Sequence, residues 1–238
     1  MPARAPKQET QAAEDPVAPG ARIAPIRIEP RWPVIVAIMA VLFLLSLLPD
    51  RVRALPPWVP VFVASALVLP MAALSFARAR RRWLRVERIA LGLFFVAAGF
   101  GIAHNLEYLL VEMVRRSGHI SGVQLLASSI AVWVSNVLIF SLAYWRIDRG
   151  GPEARANQAG LRSHWLFAPT QTQPEGGQEW NPTFIDYLFL AFCTATAFSP
   201  TDALPLTAEA KVLMMLESTI SLVTIVAVAA RAINILGS

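Results

Sequence analysis

The sequence predicts an all-α polytopic membrane protein with about five transmembrane helices and one re-entrant, pore-loop-like half-helix. Three observations carry that prediction. Apolar residues make up 55% of the 238-residue chain, and its mean hydropathy is +0.51. Several runs approach the ~20 apolar residues needed to cross a bilayer. Near the C-terminus a short apolar segment enters a Thr/Ala-rich tract and a Pro-punctuated turn before a long apolar run. That order describes a half-helix dipping into a membrane, a non-helical return and a full span.

Residues 1–31 are rich in Ala, Pro and charge without apolar periodicity, which predicts a disordered N-terminal tail. A signal peptide places its apolar region close to the start and ends at a small-residue cleavage site. Here a polar tail comes first, so residues 33–48 read as a retained span edged by Arg31 and Trp32. Residues 49–57 form a tight turn, and 58–77 a second span with Pro60 near its first turn and Pro70 as a kink. Residues 78–88 follow as a loop with six arginines in eleven residues. Such a stretch is either a contact for anionic lipid or nucleic acid or, more simply, a positive-inside topology signal.

Residues 89–111 form the third span and close a three-helix membrane region over 32–122. Its second half carries His104, Asn105 and Glu107. Ionisable groups are costly there and face other helices, each other or water. His104 and Glu107 are three apart and share a helix face. They suit a polar contact to Asn136 or Glu217, a proton or ion pathway, or half of a metal site. A metal needs three or four ligands, and His119 and His164 lie in loops, so no metal is expected.

Residues 123–238 form a two-helix module with the re-entrant loop at 184–205. Residues 123–144 are the fourth span, interrupted by Ser135 and Asn136 and ending in Tyr144 and Trp145 as interface aromatics. The chain leaves the membrane through charge and a Gly-Gly-Pro breaker. Residues 157–181 read as an irregular connector, with Trp165, Phe167 and Trp180 on headgroups or on the rim of the loop. Residues 186–197 allow about three helical turns, too few to span. Tyr187, Phe189 and Phe192 would pack that half-helix among the full spans. The lone cysteine, Cys193, excludes an intrachain disulfide and reads as a small packing residue. The last span, 212–236, contains Glu217, Ser218, Ser221 and Thr224.

The C-terminal spacing resembles the pore loop and inner helix of the two-span potassium-channel module. That family has a threonine-rich end to its pore helix, then Thr-Val-Gly-Tyr-Gly-Asp. A Pro stands three residues past the Asp, a Thr two beyond it, a Glu ten later and an Arg fourteen after that. Here Thr194 and Thr196 precede the turn, and Asp202, Pro205, Thr207, Glu217 and Arg231 fall at those intervals. The resemblance implies that Glu217 supports the filter and that four subunits ring one pore. Where the family carries Gly-Tyr-Gly, this chain has Ser199, Pro200 and Thr201. Two glycines let a potassium filter aim its carbonyls inward, whereas Pro200 locks φ and removes an N–H. The implied filter is degenerate. The whole chain also resembles a group of bacterial integral membrane proteins that share the tract from Ala197 to Asp202, a likeness that implies a family and no activity.

With five spans, the tail, the 78–88 loop and the 146–181 connector share one side, holding five, six and four basic residues. The opposite loops hold only Arg51, Arg53, Arg115 and Arg116. The positive-inside rule then puts the N-terminus in the cytoplasm of a protein in the inner (plasma) membrane. It also makes the re-entrant loop enter from the cytoplasmic side, as in inverted glutamate-receptor-type pores.

These readings lead to an oligomeric, ion-channel-like membrane protein, a homotetramer if a pore forms, passing monovalent cations without potassium selectivity. Thr194, Thr196, Ser199, Thr201 and Asp202 would line the constriction, with Pro200 at its turn. Two alternatives stay open: a non-conducting scaffold that retains the channel fold, and a proton-coupled transporter using His104 and Glu107. The lipid bilayer is the expected partner; no nucleic acid, cofactor or catalytic residue is expected, since no nucleophile–base pair or cofactor fingerprint is present.

Overall fold

A computed structural model describes residues 29–48, 80–115, 122–156, 162–168, 180–197 and 203–236, with five positions between 62 and 69. The element order is α1 (Trp32–Ser46), α2 (Arg80–Arg115), α3 (Gly122–Ile147), a 3₁₀ turn (Asp148–Gly150), α4 (Pro152–Ala156), β1 (Trp165–Phe167), α5 (Phe184–Thr196), β2 (Ala203–Pro205) and α6 (Ala208–Leu236). The described chain is mostly helical. Three of its helices are long and apolar enough to cross a membrane, over Arg85–Tyr108, Leu126–Gly150 and Ala208–Ala230. The predicted span at 58–77 lies almost wholly outside the described residues, and three of the other predicted spans fall on helices long and apolar enough to cross.

The first span is shorter than expected. Pro33 sits in the first turn of α1, where its missing N–H costs nothing. The helix ends after 15 residues, about 22 Å at 1.5 Å per residue, short of the ~30 Å hydrocarbon core. Its buried stripe, Val34, Ala37, Ile38, Val41 and Leu42, follows the helical period and packs on α3. The tail also corrects the expectation of disorder up to residue 31. Glu29 and Arg31 are tied into the bundle by ion pairs to Arg155 and Glu87.

The arginine-rich stretch is not a loop. Helix α2 starts at Arg80 and runs on through it for 36 residues, about 54 Å, well beyond one bilayer core. Arginine is a good helix former, and no Gly or Pro interrupts the stretch. The apolar helix therefore continues through about two and a half basic turns over residues 80–88.

Helix α3 is the hub, touching α1, α2, α5 and α6. Its buried residues include Ser135, Asn136, Ser141, Tyr144 and Trp145 on several faces, as expected of a helix enclosed by others. Arg149, Gly150 and Gly151 all take positive φ and reverse the chain into α4. Gly151, at φ +99°, occupies a region that side-chain-bearing residues rarely enter.

Helix α5 begins two residues before its predicted start. Asp186 accepts hydrogen bonds from the Thr183 backbone N–H (2.7 Å) and hydroxyl (2.8 Å), which closes the first turn around a free helix end. After Ala197, in the left-handed region at φ +53°, the next described residues form β2. β2 pairs antiparallel with β1, Trp165 opposite Pro205 and Phe167 opposite Ala203. This two-stranded pairing was not legible as strand, since each partner is only three residues long.

Candidate functional site

The described polar groups concentrate where α3, α5 and α6 meet. On α6, residues 217, 218, 221 and 224 repeat at three and four, so they share the face turned toward α3 and α5. Glu217, Ser221 and Thr224 are buried there. The Tyr144 hydroxyl donates to Glu217 Oε2. One and two turns away, Asn136 Nδ2 donates to Ser221 Oγ at 2.9 Å and more weakly to the Glu217 carbonyl at 3.5 Å. Ser218 Oγ donates to the Thr194 carbonyl at 3.1 Å. These bonds stitch a re-aimed seam of three helices at the depth of the apolar windows. Polar contacts of this kind hold apolar helices in register, because lipid gives no hydrophobic drive to their association.

A second polar knot ties the base of α5 to the end of α3. Asp148 is fully buried and accepts from Tyr187 Oη (2.6 Å), the His164 backbone N–H (2.8 Å) and Ser163 Oγ (3.4 Å). Arg155 makes a two-pronged pair with Glu29, Nε to Oε1 at 2.8 Å and Nη2 to Oε2 at 3.0 Å. Its Nη1 donates to the Trp145 and Asp148 carbonyls at 2.9 and 3.0 Å, capping the last turn of α3. Glu29 also accepts from Trp145 Nε1 at 3.1 Å, and the Arg155 guanidinium lies 5.1 Å from the Tyr187 ring centroid. Burial works against the Arg155 charge, but the Glu29 hydrogen bonds and the fields of Tyr187, Glu29 and Asp148 outweigh it and hold its pKa above the ordinary value.

The aromatics expected at the membrane surface lie inside this knot. Tyr144, Trp145, Trp165 and Phe167 are all buried. Trp165 packs on Tyr144 at 4.9 Å and on Tyr187 at 6.4 Å, and its Nε1 points to Met214 Sδ at 3.4 Å. Trp180, half-buried, rests on Phe167 at 5.6 Å. Each buried polar tip found a protein partner, which removes the reason to stay at the interface.

The predicted site residues divide into three groups. Thr194 is buried, its hydroxyl given to the Leu190 carbonyl at 2.8 Å; the half-exposed Thr196 hydroxyl goes to Phe192 at 2.8 Å. Ser199, Pro200, Thr201 and Asp202 lie outside the described residues. Glu217 is fully buried on α6. Its Oε1 has no hydrogen-bond partner among the described residues.

The third group is not drawn into the seam. His104, half-buried, stacks on Phe100 at 6.5 Å, Asn105 is buried, and Glu107 is exposed. Asn136 and Glu217, the expected partners of His104, bond to Ser221 and Tyr144 instead. Of Tyr187, Phe189 and Phe192, expected to pack α5 among the spans, only Tyr187 is buried. Phe189 and Phe192 join Ile185 on the opposite, exposed face, as their spacing of four and three residues requires. The residues that sequence reasoning missed are Glu29, Tyr144, Asp148 and Arg155, each of which read locally as a tail charge, an interface ring or an exit-loop charge.

Three helices long and apolar enough to cross a membrane, two of them tied to α5 by a buried polar seam, define a helical membrane protein. No family model, curated protein or solved structure matches the chain.

Proposed function

We propose that the chain is a channel-like membrane protein in which α5 and the turn after it form a re-entrant hairpin lining a shared, cation-conducting pore without potassium selectivity. The observation that carries this reading is the path of the chain around α5. The base of α5 is held by Asp148 and the β1 aromatics, and β2 returns to pair with that same β1. A 13-residue helix that starts and returns at one end of a bundle does not cross. Ser218 supports the reading, since its hydroxyl holds the Thr194 carbonyl at the far end of α5.

The assembly follows from what α5 leaves uncovered. Ile185, Phe189 and Phe192 are exposed, and so is Ala197 at its left-handed end. Non-helical backbone at membrane depth is stable only where protein covers it or water reaches it. Copies of this chain around one axis supply both. A tetramer would place four Asp202 carboxylates near that axis and suit partly hydrated cations.

The first test is subunit stoichiometry by native mass in mild detergent, expected to give a tetramer. Cation flux in vesicles should then fall in Asp202→Asn. A monomer leaves one loop with nothing to line and overturns the pore. The second reading, a non-conducting scaffold, is favoured by one observation, that both Thr194 and Thr196 spend their hydroxyl protons on their own helix. A tetramer whose flux matches empty vesicles would select it.

A further inference from the structure

The bundle end that gathers the tail, the start of α2 and the end of α3 holds an open cleft. Three guanidiniums, Arg31, Arg88 and Arg146, and two carboxylates, Glu87 and Glu153, line it. Glu87 is committed to Arg31, whose Nη1 donates to Oε2 at 2.5 Å, with the two side chains 9% and 6% exposed. The Arg31 Nε stays buried without a partner among the described residues. Arg88 and Arg146 take part in no ion pair or side-chain hydrogen bond among the described residues; Arg146 lies in the field of Arg88, offset in part by the Glu87 and Glu153 carboxylates. Arg146 lies over the α3–α4 turn, its Nη1 2.2 Å from where a Cβ on residue 151 would stand.

Like charges brought together beside a buried, unused donor are an unfavourable arrangement that a bound anion relieves. The lining carries one positive charge in excess, which matches the single negative charge of a phosphodiester. Guanidinium forks suit its oxygens better than an ammonium would. The cleft also sits at the edge of the apolar layer. Arg31 directly precedes α1, Arg88 stands in the first turn of the Arg85–Tyr108 span, and Arg146 is in the last turn of α3. We infer that this cleft binds a phosphodiester, held by Arg88 and Arg146 with Arg31 Nε as a third donor, and that its source is the headgroup of an anionic phospholipid.

The test is native mass spectrometry of the full chain in detergent, titrated with phosphatidylglycerol, phosphatidylcholine or inorganic phosphate. Phosphatidylglycerol should be retained most tightly. Its affinity should drop about fivefold for each arginine removed, in Arg88→Gln and then in Arg88→Gln/Arg146→Gln. Arg88 is exposed and unpaired, so its single variant keeps the fold if the double variant does not. Unchanged affinity in Arg88→Gln overturns the site. Retention of phosphatidylcholine as tight as that of phosphatidylglycerol overturns the anionic headgroup. Arginine-dependent binding of inorganic phosphate without phosphatidylglycerol overturns the lipid source.

Discussion

At the scale of single residues, the strongest statements concern buried charges with few alternatives. Arg155 joins the tail, α3 and α5, with a fully buried side chain. Replacing it with Ala strands Glu29 and two helix-end carbonyls. Arg155→Ala should therefore lose about 3 kcal/mol in reversible unfolding. Its guanidinium pKa is raised, so the pair's contribution is complete below the ordinary arginine value and fades only as pH rises past the folded one. Stability lost between neutral and mildly alkaline pH would contradict that pairing. Tyr144 and Glu217 make the second case. Tyr144→Phe removes the donor and leaves a buried acceptor, which should cost about 1–3 kcal/mol. Glu217→Gln keeps an acceptor for the hydroxyl and should cost less; the opposite order in thermal unfolding would show that Tyr144 serves as packing alone.

At the scale of elements, α5 depends on anchors at both ends. Tyr187 holds its base to Asp148, and the Thr194 carbonyl holds its tip to Ser218. Ser218→Ala should release only the tip, so faster amide exchange should appear over residues 194–197 while 184–190 stay protected. Uniform exchange along the helix would mean that the tip bond is idle. This element was largely legible beforehand: predicted at 186–197, it lies at Phe184–Thr196. Apolar run length is a local signal, so one sequence sufficed for its extent; the Thr-x-x-Asp cap that starts it two residues earlier went unread. Helix α2 was misread at its start, because arginines were weighed as a solvated loop although their helix propensity is high.

At the scale of the whole molecule, the ion pairs Arg31–Glu87 and Arg155–Glu29 put the tail, the start of α2 and α4 at one end. The basic-residue count assigned these segments to one side, and contacts now join them. Cysteines introduced by Gln8→Cys and Gln158→Cys, in a Cys193→Ser background, should both react with a membrane-impermeant maleimide only from the cytoplasmic side. Labelling from opposite sides would break the shared end.

The sequence alone determined the membrane class, the three long helices and the short α5, since each rests on the length and composition of one continuous segment. Tertiary structure decided which polar groups meet. Glu29 lies 126 residues from Arg155, and Tyr144 lies 73 from Glu217. No local pattern encodes such a partner, because a buried hydrogen bond is chosen only when packing brings the two groups together and removes water from both.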